Sequence, residues 1–337
     1  MFRLLAFALA ILASMTTLAQ TTYDPKIAYT SFEKNADNLY VANADGSKRV
    51  SVYKISKARL GAIDMAPVDP LDPTARKIAF TQAGVLKLLR FKVLPTSIAA
   101  LSVVTLDSVG APYQGANFPD FSPDGSKILY IKNTPNSNGT SPTDVYLISS
   151  DGTNKKLLWR AALSGGTGST VILQVRWTGS SEFAFMLDGS LSTNDIRRAF
   201  LDSNNNVVDL PLPLFTAVDQ FFIDNYLFGI EDFDVARTRK SLIFTTGTPP
   251  SSSVRTIVEY ALPDGSIPGA FSIRRSNSGG WKSHFSSDDS HILYLRAVSG
   301  SYTNFDAVYT FATYDPNSAP DSLAPRNLLG SLLDSLP

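Results

Sequence analysis

A short hydrophobic run ending in an aromatic residue recurs along the whole chain, and it constrains the fold more than any other feature. It reads KIAY at 26–29, KIAF at 77–80, KILY at 127–130, EFAF at 182–185, SLIF at 241–244 and HILY at 291–294. The terminal aromatics follow one another at steps of 51, 50, 55, 59 and 50 residues. A fixed period of this size means that one supersecondary unit is repeated, each copy burying its apolar faces against its neighbours.

The third copy shows what the unit is. Residues 116–121 form a first strand, 122–125 (Ser-Pro-Asp-Gly) a turn, and 127–132 a second strand. Residues 144–149 (DVYLIS) and 155–159 (KKLLW) supply the third and fourth, with Asp151-Gly152 between them. Asp-Gly marks a tight hairpin because both residues tolerate positive φ. The same pair stands at Asp45-Gly46 and Asp264-Gly265, and Asn204-Asn205-Asn206 takes its place in the fourth copy. No helical period interrupts the series. Four antiparallel strands per fifty residues is one propeller blade, so the expected fold is an all-β, six-bladed β-propeller of four-stranded antiparallel blades. The first copy begins at its second strand. The C-terminal residues, ending Asp334-Ser-Leu-Pro337, are expected to supply the missing first strand and close the ring.

The third copy (FSPDGSKILYIK…DVYLISSDGTNKKLL) resembles the repeat of the TolB-type six-bladed propellers, which also occurs in prolyl-oligopeptidase-like enzymes. The sixth copy (HFSSDDSHILYL) resembles it less closely, as does the first; the second, fourth and fifth match weakly. TolB carries an N-terminal α/β domain before its propeller, and the peptidases carry a catalytic domain. Neither has a counterpart among the repeats of this sequence. The resemblance therefore implies a stand-alone propeller and transfers neither family's activity.

Arg3 followed by the apolar run 4–13 and by Thr17-Leu-Ala19 reads as a secretory signal peptide over 1–19. The run is shorter than the ~20 residues needed to span a bilayer. The domain expected is thus 20–337, periplasmic or secreted, with no stable membrane insertion after cleavage. There is no cysteine, which excludes disulfides, thiolate metal sites and a cysteine nucleophile. Lys plus Arg and Asp plus Glu are both 30. Without net charge there is no long-range field to recruit nucleic acid. No cofactor is expected, and a monomer is.

Catalytic motifs are missing from the sequence: there is no G-x-S-x-G, H-E-x-x-H or P-loop lysine pattern. The two histidines, His284 and His291, flank one hairpin with Ser286, Ser287, Asp288 and Asp289. A Ser–His–Asp triad needs side chains converging from separate elements, so these residues read as turn chemistry replacing Ser-Pro-Asp-Gly. The Gly-rich run 164–168 connects two copies, and Asn138-Gly139-Thr140 lies in a polar loop spanning 133–143.

Two groups are candidate binding residues. The stretch 210–229 (LPLPLFTAVDQFFIDNYLFG) reads as an aromatic insertion between the fourth and fifth copies. In it, Phe221, Phe222 and Tyr226 are expected to be exposed for a partner; the alternative is that the segment packs as an extra strand and core, or plugs the channel. Aligning the ends of the first strands brings Asp64, Asp120, Arg176, Asp234, His284 and Asp334 to one level. Their carboxylates would hold a cation or receive a basic group from a partner; the alternative is that each aspartate anchors its own turn. The function expected is non-enzymatic: an exported binding or scaffolding propeller of the bacterial cell envelope, docking a protein or peptide on its loop face or channel mouth. The alternative is a polysaccharide-binding or polysaccharide-active propeller, so the partner is an envelope protein or peptide, or else a glycan.

Overall fold

The computed structural model describes residues 24–33, 36–43, 47–56, 60–108, 116–133, 143–160, 171–188, 195–208, 212–215, 228–236, 241–247, 255–262, 270–275, 280–285, 292–296, 307–310 and 326–327. Among these the chain is all β, in six antiparallel sheets of consecutive strands. The first sheet holds Pro25–Glu33 (β1), Ala36–Asn43 (β2) and Val50–Ser56 (β3); the second holds Leu60–Met65 (β4), Ala75–Gln82 (β5), Val85–Val93 (β6) and Ile98–Ser108 (β7). The third is Ala116–Phe121 (β8), Lys127–Asn133 (β9), Thr143–Ser149 (β10) and Lys156–Arg160 (β11). The fourth is Val171–Gly179 (β12), Glu182–Asp188 (β13), Asp195–Phe200 (β14) and Leu212–Phe215 (β15). The fifth is Phe228–Val235 (β16), Ser241–Gly247 (β17), Arg255–Ala261 (β18) and Ala270–Arg275 (β19). The sixth is Gly280–Phe285 (β20), Ile292–Arg296 (β21), Ala307–Thr310 (β22) and Arg326–Asn327 (β23). Among the described residues no helix is long and apolar enough to cross a membrane.

From the second sheet onward each repeated run is the second strand of its sheet, and its unbroken hydrophobicity has a cause in packing. Strands buried on both faces lose the usual apolar–polar alternation. In β5, Ile78 and Phe80 enter a core shared with the first sheet, while Ala79 enters one shared with the third. In β9, Ile128 and Tyr130 face the second sheet, and Leu129 and Ile131 face the fourth. β13 and β17 divide in the same way, Phe185 and Phe244 pointing at the preceding sheet. The described core is therefore a series of layers between successive sheets. Phe80, Tyr130, Phe185 and Phe244 are all fully buried, and each contributes about 1.5–3 kcal/mol relative to exposure.

The turns follow their sequence. In the third sheet the Gly125 N–H donates to the Ser122 carbonyl at 2.8 Å, with Gly125 at φ +67°, and Asp124 accepts from the Ser122 hydroxyl and the Ser126 N–H. Gly152 (φ +92°) and Asn205 (φ 57°) occupy the left-handed positions of the two later hairpins. The pairs at 45–46 and 264–265, the Gly-rich run 164–168 and residues 138–140 lie outside the described residues.

Among the described residues the first sheet has three strands and starts at the equivalent of β5. The residues expected to supply its first strand, 332–337, lie outside the described set. The stretch 210–229 is not an insertion throughout, and at its start the extra-strand alternative holds: Leu212–Phe215 is the fourth strand of the fourth sheet, paired with β14, and Phe228 opens β16. The enlarged step of 59 had hidden a regular strand. Phe221, Phe222 and Tyr226 lie outside the described residues.

Candidate functional site: a charged seam along the first strands

The first strand of each sheet pairs on one side only, leaving a row of backbone N–H and C=O groups on its other edge. Buried groups of this kind must find partners. β4 packs against β8, β8 against β12, β12 against β16 and β16 against β20, and side chains cross each of these joints. Asp64 accepts from the Phe121 N–H at 2.7 Å. Asp120 accepts from the Trp177 N–H at 2.6 Å, and Asp234 from the Phe285 N–H at 2.8 Å. The donor is each time the residue just after the aspartate's counterpart in the next sheet. Charge-assisted bonds of this type contribute about 1.5–3 kcal/mol each. The aspartates therefore tie the neighbouring sheet, a role not expected from the sequence.

A β-bulge aims these side chains. Between Leu60 and Ile63, Asn117 and Asp120, and Trp281 and His284, the first strand spends one more residue than its partner strand. β12 and β16 are bulged as well. Such an extra residue bends the strand and redirects the side chain that follows. All five candidates emerge in one register: Asp64 lies opposite Ala79, Asp120 opposite Leu129, Arg176 opposite Ala184, Asp234 opposite Ile243 and His284 opposite Leu293. Gly61 sits inside the bulge of β4, where a Cβ would lie 2.2 Å from the Thr81 hydroxyl oxygen.

Arg176 breaks the pattern, because a guanidinium has no acceptor to offer the next strand. Gln174, two residues earlier and 2% exposed, takes over that joint. Its amide oxygen accepts from the Phe233 N–H at 3.1 Å, and its amide nitrogen donates to the Phe233 carbonyl at 2.5 Å. One side chain thus replaces a strand partner. Arg176 is left to bridge the carboxylates, 2.9 Å from Asp234 and 3.8 Å from Asp120. Burial works against its charge, but Asp234, Asp120, Asp64 and Asp232 together raise its pKa.

His284 lies beside Arg176 at the joint between the fifth and sixth sheets. Its Nε2 is 3.6 Å from Asp232 and its Nδ1 is 3.6 Å from Asp234, ion-pair distances rather than hydrogen bonds. Burial opposes the imidazolium, as does Arg176, yet Asp232 and Asp234 outweigh both and raise its pKa. Burial likewise works to raise the Asp234 carboxyl, but His284, Arg176 and the Phe285 N–H hold it at about 2. The His284 side chain is 37% exposed, against 7% for Arg176 and 14% for Asp234. It is the most exposed of the three.

The seam thus joins five of the predicted residues, Asp64, Asp120, Arg176, Asp234 and His284; Asp334 lies outside the described residues. Gln174 and Asp232 were not singled out from the sequence. Asp232 was legible, since it stands two residues before Asp234 and shares its face. Gln174 was not, because it is needed only once Arg176 is known to face the next sheet. Among the described residues no group of acidic and histidine side chains could hold a metal ion; the cation that these carboxylates meet is Arg176.

A second polar cluster joins the outer strand of the second sheet to the third sheet. Asp107, buried at the end of β7, accepts from the Tyr130 hydroxyl (2.9 Å), Lys132 (2.9 Å) and Lys155 (3.1 Å). Burial pushes its carboxyl up, and these three donors more than reverse that, leaving its pKa lowered. It ties the second sheet to the third.

No protein-family model matches the sequence, and no curated protein matches it. Solved structures do. TolB from Acinetobacter baumannii aligns with a TM-score of 0.53 at 17% identity, covering 90% of this chain and 65% of that one. An oligogalacturonate lyase from Vibrio parahaemolyticus aligns at 0.48 and 8% identity over 90% of this chain and 74% of the other. The β-propeller domain of Myceliophteria thermophila Cps50 (Swd1) aligns at 0.44 and 10% over 81% and 80%. At such identities a likeness speaks to fold alone, and the fold that the TolB likeness speaks for is the β-propeller.

Proposed function

We propose that this chain is an exported six-bladed β-propeller, closed by its C-terminal residues, that binds a protein or peptide of the cell envelope and performs no catalysis. The ring is completed when 332–337 pair with β1 and Asp334 comes to lie opposite Ala28, the counterpart of Ala79 and Leu129. Residues 1–19 are the leader that directs export.

The observation that carries the reading is the charge balance of the seam. Four carboxylates, those of Asp64, Asp120, Asp232 and Asp234, act on the one guanidinium of Arg176, and the half-exposed His284 stands beside two of them. This excess of negative charge suits a lysine or arginine side chain presented by a partner. The likeness in fold to TolB supports the envelope setting.

The test is affinity capture of envelope proteins on the mature chain, beside a glycan array. The reading expects a protein whose capture is salt-sensitive and falls at least tenfold with Asp232→Asn in a folded variant. A glycan hit accompanied by turnover would instead establish the polysaccharide-active alternative, and capture indifferent to Asp232→Asn would remove the seam as the site.

A further inference from the structure

The loop between the first and second strands of the second sheet is longer than its counterparts. From Asp64 to its partner Ala79 is 15 residues. The same step is 9 from Asp120 to Leu129, 8 from Arg176 to Ala184, 9 from Asp234 to Ile243 and 9 from His284 to Leu293. Part of the stretch 66–74, Ala-Pro-Val-Asp-Pro-Leu-Asp-Pro-Thr, is therefore surplus to reversing the chain. Loops held on a rigid scaffold are where binding residues gather.

The added length is fixed at many points. Asp69 accepts from the Leu71 N–H at 2.9 Å, and Asp72 from the Thr74 N–H at 3.1 Å and the Thr74 hydroxyl at 2.6 Å. The Ala75 N–H donates to the Asp72 carbonyl at 3.0 Å, and the Val93 N–H to the Thr74 carbonyl at 2.9 Å. The buried Arg76 guanidinium donates to the carbonyls of Pro73 and Ala75. Pro67, Pro70 and Pro73 restrict φ at three further positions. Leu71 stands within this framework with 93% of its surface exposed. Among the described residues the next most exposed large hydrophobic residue, Leu101, reaches 62%.

We propose that this loop is a docking peg, whose Leu71 enters an apolar pocket of a partner protein rimmed by lysine or arginine. Asp69 and Asp72 flank the leucine, and between Asp64 and Arg76 the chain carries no cation, so charge complementarity calls for a basic rim. Bonds from the Thr74 hydroxyl and N–H, with Lys92 acting from β6, hold the Asp72 carboxyl below its ordinary range and keep it ionised. A loop already ordered brings its apolar side chain to a partner with little further loss of conformational entropy. The proposal rests on the reading that this chain binds a protein, and it adds a contact that the seam does not supply.

The mature chain with p-benzoylphenylalanine in place of Leu71 is irradiated in an envelope extract; the same probe in place of Val208, 58% exposed, is the control. The expected result is a protein cross-linked from Leu71's position and not from the control, through a peptide that contains lysine or arginine. That protein, purified, should bind Leu71→Asp at least tenfold more weakly than wild type, and Leu71→Met within about threefold. Asp69→Asn combined with Asp72→Asn keeps the turn acceptors, and it should weaken binding and reduce its dependence on salt. All these variants should melt as the wild type does. No cross-link above the control overturns the proposal, as does one only to lipid or to a second copy, or a partner indifferent to Leu71→Asp. A partner lost with Asp232→Asn but indifferent to Leu71→Asp removes the peg and keeps the seam; the converse removes the seam and keeps the peg.

Discussion

Replacing Asp234 with Asn removes a charge from the seam while keeping an oxygen that can accept from the Phe285 N–H. The wild-type carboxyl is held at about 2, against an ordinary value of 3.8. At ~1.4 kcal/mol per unit, that difference is about 2 kcal/mol of folding free energy. A depressed carboxylate stabilises the fold above its unfolded pKa, and the contribution disappears as pH falls from about 4 to about 2. His284 acts with the opposite sign. Its pKa is raised above 6.5, so its contribution is complete below that value and is lost as pH rises through the raised one. Wild-type stability should therefore be greatest between about pH 4 and 6.5 and decline on both sides. Urea unfolding followed by tryptophan fluorescence reads this directly, since the buried Trp177 adjoins Arg176. Asp234→Asn should cost about 2 kcal/mol at pH 6 and progressively less as pH falls from about 4 to about 2, where the wild-type carboxylate takes up its own proton. A gap between the two proteins that is the same at pH 3 and pH 6 would refute the electrostatic account.

Gln174→Leu keeps the volume but strips the Phe233 N–H and carbonyl of their partner; at ~1–3 kcal/mol per buried orphan, a loss of about 2–5 kcal/mol is expected, measured as a lower urea midpoint. Gly61→Ala should cost about 1–3 kcal/mol by overpacking against Thr81, and most of that should return when Thr81→Ala is added; an uncompensated loss would place the strain elsewhere. Deleting 332–337 should lower the melting temperature by several degrees if those residues complete the first sheet, and an unchanged transition would sink the closure.

What could be read from the sequence, and what could not, divides along a physical line. The second strands announced themselves because burial on both faces makes them uniformly apolar and fixes their aromatic ends. The turns did so because Asp-Gly and Asn-rich tripeptides are among the few sequences that accept left-handed backbone. Leu212–Phe215 failed the same reading: four residues containing a proline, on the outer edge of a sheet, look like a linker until the strand beside them is seen. The first-strand residues were found by alignment, but their bonds to the next sheet were not foreseen. Turn-anchoring and cation-holding are both properties of one aspartate, whereas the observed bonds depend on how far the next sheet has rotated round, and no single repeat contains that.

The seam also explains why residues of such different chemistry occupy one structural level. What must be kept at each joint is the satisfaction of an open strand edge, not the identity of the side chain that does it. Aspartate meets that demand at three joints, and Gln174 meets it from two residues away once Arg176 has taken the equivalent position. Position 176 is thereby released from joining sheets and is free to balance charge. One guanidinium then stabilises carboxylates from the second, third and fifth sheets at once, which three separate latches would not do. The same exchange sets the limits of the site. Asp64 and Asp120 have an oxygen committed to the neighbouring backbone, and Arg176 is sealed beneath them. The exposed and titratable end of the group is gathered at His284, at the joint between the fifth and sixth sheets.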